Sequence, residues 1–202
     1  MDQFLTDKEF DIIVDSDFLL TKAGIIQKIV GKFDELRIKM IDQVGKSNFM
    51  GPENVDIKEG KVFRGENYKN LPYVVLDYPK HFSQRSVFAV RTMFWWGNFF
   101  SITLHLQGED LDNLRGVLVE KENNLREKDI WFCCNSTPWE YRYKEDNYTM
   151  LDSLDPDELK SQFRKKEFIK LSRKIDLTDY GTLEAFCLES LALYLNVIAK
   201  PQ

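Results

Sequence analysis

Two histidines, three cysteines and one arginine set in a mostly apolar run are the residues of this chain whose types could do chemistry. His105 sits two residues beyond Thr103 in a strand-like segment, and its reference pKa of ~6.5 suits proton transfer near neutrality. A general base also needs an orienting partner. None adjoins His105 in sequence, so the plainer reading is a partly buried histidine bonded to a hydroxyl or to backbone. Asp77-Tyr78-Pro79-Lys80-His81 closes another apolar run. An aspartate with a histidine four positions on could form an acid–base pair at a sheet edge, though such segments are commonly plain turns. Cys133 could be a nucleophile with His105 as its base, yet buried free cysteines are usually inert packing. The catalytic candidates are therefore His105, Asp77, His81 and Cys133.

Arg91 interrupts a strand face that is otherwise apolar. A guanidinium there must meet a carboxylate or serve as an anion-binding group in a cleft. Phe94, Trp95, Trp96, Phe99 and Phe100 crowd the same region. Trp95 and Phe100 are expected in the core, while Trp96 and Phe99 at a hairpin tip are the pair expected at a contact surface. A ligand-binding set of Trp96, Phe99, Ser101, Thr103, Thr92 and Arg91 follows. No metal site is expected, because no pair of cysteines or histidines has ligand spacing. No cofactor is expected either: Gly-rich phosphate loops, dinucleotide fingerprints and nucleophile-elbow motifs are all missing from the sequence.

These residues need elements to position them. Ile26, Ile29, Phe33, Leu36 and Met40 recur at helical steps and predict a helix from about Asp17 to Val44, capped by Ser16 or Asp17. Leu71–Tyr78 reads as a buried strand and Lys61–Arg64 as a shorter one. Val87–Gln107 reads as a hairpin about a two-residue Gly97-Asn98 turn, pairing Trp96 with Phe99 and Val90 with His105. In that register Thr92, Ser101, Thr103 and His105 share one mixed face, and Met93, Ile102 and Leu104 share the core face. Asp110–Arg126 predicts a helix, weakened by Gly116. Ile130–Cys134 and Trp139–Lys144 predict a second hairpin. Asp155-Pro156-Asp157-Glu158 starts a helix ending near Lys166. Phe168–Leu177 fits a strand or a helix. Thr182–Ile198, apolar almost all round, belongs in the core or in a subunit interface.

Consecutive strands joined by short turns make this an α+β chain: an antiparallel meander of five to six strands, helices mainly on one face, residues 1–202 forming a single domain. The 13% aromatic content suits a sheet core or a lined cleft. A net charge of −5 opposes a general nucleic-acid partner. The acidic N-terminus does not resemble a signal peptide, and no apolar run is expected to reach the ~20 residues of a membrane span. With an odd cysteine count, the expected location is cytoplasmic. The functional expectation is a non-catalytic module binding a small molecule or a protein through an aromatic-lined surface, possible homo-oligomerisation falling to the C-terminal helix. The alternative is a small hydrolase or acid–base catalyst using His105 with Asp77 or Cys133.

Overall fold

The computed structural model describes residues 4–47, 49 and 51–199. The chain forms a seven-stranded antiparallel sheet with helices on one face, one strand more than the upper expectation. Its strands are β1 (Lys61–Tyr68), β2 (Leu71–Phe82), β3 (Ser86–Trp95), β4 (Phe99–Gly108), β5 (Trp131–Cys133), β6 (Tyr148–Met150) and β7 (Phe168–Asp176). The spatial order is β1-β2-β3-β4-β7-β5-β6, so the four-stranded meander is extended by the late strand β7. Phe168–Asp176 is thus a strand, paired with β4 along its whole length.

An acidic helix α1 (Asp7–Val14) precedes the long helix α2 (Ser16–Lys46). The cap of α2 is Asp15, whose carboxylate accepts from Phe18 N at 3.1 Å, rather than Ser16 or Asp17. Ile26, Phe33, Leu36, Met40 and Val44 form its buried stripe. Lys22 pairs with Glu66 at 2.7 Å and Arg37 donates to Glu59 O at 2.9 Å. Fifteen helical residues at ~1.5 Å and seven strand residues at ~3.3 Å span nearly the same length, so α2 lies antiparallel to β1.

The β3–β4 register corrects the expected one by a single residue. Trp95 pairs with Phe99, Arg91 with Thr103 and Ala89 with His105. Trp96 leaves this ladder to donate its backbone N–H to Pro72 O at 3.0 Å, and Asn98 N closes the turn on Trp95 O. The turn therefore holds three residues, Trp96-Gly97-Asn98. A slip of one residue exchanges the faces of one strand relative to the other. Ala89, Arg91, Met93 and Trp95 consequently lie beside Phe99, Ser101, Thr103 and His105. Thr92 and Phe94 join Ile102, Leu104 and Leu106 under the helices, where the main core lies.

Two further expectations are corrected. Asp110–Arg126 is not one helix but α3 (Glu109–Asp112), α4 (Arg115–Glu120) and a 3-10 turn at Glu122–Leu125. Leu111, Leu114, Leu118 and Leu125 remain buried. The intervening asparagines and Gly116 are weak helix formers, so the chain bends to place each leucine. Trp139–Lys144 is not a strand either, since β5 pairs with β6. It belongs to a loop folded over the second face of the sheet, whose alternating tyrosines reflect side chains dipping onto that face.

After α5 (Pro156–Lys165), capped by Asp155 as its sequence indicates, the chain ends in α6 (Leu183–Ile198). By length and composition Leu177–Ile198 is apolar enough to cross a membrane, contrary to the expectation above, and half of its most apolar 18-residue stretch is buried within the fold. Its docking is specific: Tyr194 OH donates to Ile102 O at 3.1 Å and Arg173 Nη1 donates to Ser190 Oγ at 2.8 Å.

Candidate functional site

The sheet face turned away from the helices carries most of the polar residues of interest, and alternation places them in rows across the strands. One row runs Asp77, Arg91, Thr103, Ser172 on β2, β3, β4 and β7. Arg91 meets Asp77 through two parallel bonds, Nε to Oδ1 at 2.7 Å and Nη2 to Oδ2 at 2.8 Å. Its third contact is Nη1 to Tyr141 OH at 2.5 Å. Despite burial, this pairing holds the guanidinium above its usual pKa. Thr103 Oγ1 lies 2.6 Å from Ser172 Oγ, which lies 2.5 Å from Tyr143 OH. Ser101 is buried on the same face.

The next row is Ala89, His105, Lys170. His105 is buried beneath the rings of Trp139 and Phe168, at centroid distances of 5.6 and 6.2 Å. Burial, reinforced by the charges of Lys170 and Arg91, brings its pKa down to about 3. Lys170 is wholly buried. Its ammonium donates to Pro138 O and Glu140 O at 2.8 and 2.7 Å and lies 4.1 Å from the Tyr141 ring centroid. Burial lowers its pKa to about 8, with Arg91 pushing the same way. Lys170 thus fastens the 134–147 loop to the sheet.

The catalytic candidates do not converge. Asp77 is engaged by Arg91, not by His105 or His81. His81 Nδ1 instead lies 2.7 Å from Asp110 Oδ2, beside Phe88 on β3, whose ring belongs to the main core on the helical face, so the sheet itself separates it from His105. Cys133 follows Phe132, the partner of Leu171, which puts the Lys170 position between it and His105. Two strand spacings, about 10 Å, then separate thiol and imidazole. Burial raises the Cys133 pKa, which disfavours the thiolate a nucleophile needs. Among the described residues, no three of His, Cys, Asp and Glu converge on a metal position.

The binding candidates divide. Thr92 lies under the helices beside Cys187, and Trp96 packs against the main core with Phe94. Phe99 lies on the second face, packed edge-on to Trp95 and Tyr143 at 5.5 and 4.9 Å. It lines a cleft of about 620 Å³ at the end of the sheet where the β1–β2 and β3–β4 turns lie. Leu71, Trp95, Phe99 and Tyr143 supply its apolar wall, and Lys69, Arg142, Lys144 and Lys174 its rim. Lys69 and Arg142 contact Glu140 at 2.8 and 3.5 Å, and Arg142 also contacts Asp146 at 2.5 Å. Although burial opposes it, the Lys69 and Tyr68 contacts hold Glu140 down to about 2, so it is ionised. Lys144 and Lys174 have no ion pair among the described residues, and the Lys174 ammonium lies 5.5 Å from the Tyr143 ring centroid. Sequence reasoning missed these cations because three distant segments supply them. The available signal was the alternation of Arg142 and Lys144 with Tyr141 and Tyr143.

Comparison of the chain with protein-family models, with curated proteins and with solved structures finds no match in any of the three.

Proposed function

We propose that this chain is a non-catalytic binding module that takes an anionic partner in the cleft beside the β3–β4 turn. The observation that carries the reading is four basic side chains around an opening walled by Trp95, Phe99 and Tyr143, in a chain of net charge −5. A local cationic rim on an acidic body focuses negative groups into the cleft and turns them away elsewhere. Rigid aromatic walls provide area at low entropic cost for an apolar or planar part of the partner. Lys144 and Lys174, without ion pairs among the described residues, are the groups ready to meet the charge.

The catalytic alternative has less support, because His105 is sealed under Trp139 and neutral, and its nominated partners lie elsewhere. The test is fluorescence anisotropy with a labelled, end-capped tetraglutamate and a matching tetralysine. Tetraglutamate is expected to bind, with an affinity that falls as salt rises, and tetralysine is not. Lys144→Glu with Lys174→Glu is expected to abolish binding without altering the melting curve. Equal binding of both peptides, or tetraglutamate binding unchanged by the double substitution, overturns the proposal.

A further inference from the structure

The N-terminal end of the molecule leaves much of its apolar surface uncovered. No residue of α1 is buried, residues 16–21 of α2 are exposed, and the Lys22–Glu66 contact sets this part of α2 beside the β1–β2 turn end of the sheet, with α1 leading away from it. Phe10, Ile12, Ile13, Val14, Leu19 and Leu20 are each more than half exposed. Isolated apolar residues on a surface are ordinary, but contiguous apolar patches beyond a few hundred Å² mark contact sites. Interspersed with them are Glu9, Asp11, Asp15 and Asp17. The arm is therefore both apolar and acidic, the complement of a cleft that is aromatic and basic.

We infer that the partner taken by the cleft is the N-terminal arm of a second copy of this chain, in a reciprocal twofold dimer. This rests on the reading of the cleft as an anion-binding site and names its occupant. Position supports it as well as charge. Helix α2 runs antiparallel to β1, so the arm leaves the molecule at the end of the sheet that carries the β1–β2 turn. The cleft opens at that same end, lined by Lys69, Gly97 and Asn98. Arm and cleft are on opposite faces, since α2 packs with the main core and Trp95 and Phe99 with the second. An arm that continues straight misses its own cleft. A twofold axis in the plane of the sheet and perpendicular to the strands exchanges both ends and faces. It sets each arm over the other copy's cleft side, so both contacts form at once.

Sedimentation velocity of the whole chain from micromolar to near-millimolar concentration tests this. A concentration-dependent dimer that weakens with salt is expected. Asp7→Lys, Asp11→Lys and Asp17→Lys together make the arm basic, four lysines with Lys8 against Glu9 and Asp15, and Lys144→Glu with Lys174→Glu makes the cleft acidic. These positions are at the surface, so the melting curves of both variants should match the parent. Each variant alone is expected to be monomeric, and an equimolar mixture to form a dimer, because each arm again meets a cleft of opposite sign. A parent chain that stays monomeric, a variant that still dimerises alone, or a mixture that stays monomeric overturns the inference. A monomeric parent that floats with phosphatidylcholine vesicles also overturns it, assigning the arm to a lipid surface. If the parent is monomeric yet binds tetraglutamate, only the choice of occupant fails. If it does neither, the reading of the cleft fails too.

Discussion

Arg91 shows what a charged residue in a strand interior requires. Its two bonds to Asp77 satisfy a carboxylate that is almost wholly buried. Breaking such a pair from one side leaves an uncompensated charge, at a cost of ~3–5 kcal/mol, whereas removing both partners avoids most of that penalty. Asp77→Ala is therefore expected to be more damaging than Asp77→Ala combined with Arg91→Met, read from urea midpoints at unchanged slope. His105 makes a prediction of opposite character. Burial, with Lys170 and Arg91, holds it near about 3, against ~6.5 in an unfolded chain. As pH falls, the unfolded chain takes up the proton first. The stability associated with neutral His105 is complete above ~6.5 and declines below it, by at most ~1.4 kcal/mol per pH unit. The decline continues until the folded value of about 3 is passed. His105→Phe, which keeps a ring under Trp139, should lessen the loss of stability between about pH 7 and about pH 4.5. An unchanged slope would show that His105 is not the group responsible.

At the scale of elements, two glycines separate backbone freedom from space. Gly97 in the β3–β4 turn has φ +70° with nothing within 4 Å of the position a Cβ would take, and Gly108 at the end of β4 has φ +64° with Arg85 O only 1.8 Å from that position. Alanine at Gly97 meets only the left-handed penalty of ~1–2 kcal/mol. At Gly108 it must also displace the Ser86 end of β3, so its cost should exceed that of Gly97→Ala by at least ~2 kcal/mol. Comparable melting curves for the two variants would show that the Arg85–Ser86 backbone gives way freely. The contrast also explains what was legible in the sequence. Alternation sorted the side chains of β3 and β4 correctly within each strand, because period two is a local property. It did not relate one strand to the other. That relation depended on Trp96 bonding to Pro72 on β2, a contact between segments distant in sequence. Helices α2, α5 and α6 were legible because their apolar spacing and the Asp155 cap are local. Lys170 was not, since a lysine in an alternating strand reads as solvent-facing until a loop is known to cover it.

Across the whole molecule, the two faces of the sheet serve different ends. The helical face holds the main core, and α6 buries its apolar sides there, on Ile102 and its neighbours. The opposite face holds a smaller aromatic cluster roofed by the 134–147 loop, which Lys170 fastens down. The cleft lies where that roof ends. Tryptophans mark the two places on this face where a partner could act: Trp95 lines the cleft, and Trp139 lies over His105. The two-dimensional amide and indole NMR spectrum of the ¹⁵N-labelled chain, followed during titration with end-capped tetraglutamate, distinguishes them. The Trp95 indole N–H, which donates to Tyr68 O beside the cleft, is expected to move together with the Asn98 side-chain amide at the turn. The Trp139 indole should stay in place. Movement of Trp139 with Trp95 unaffected would refute binding in the cleft and return the functional site to the surface above His105.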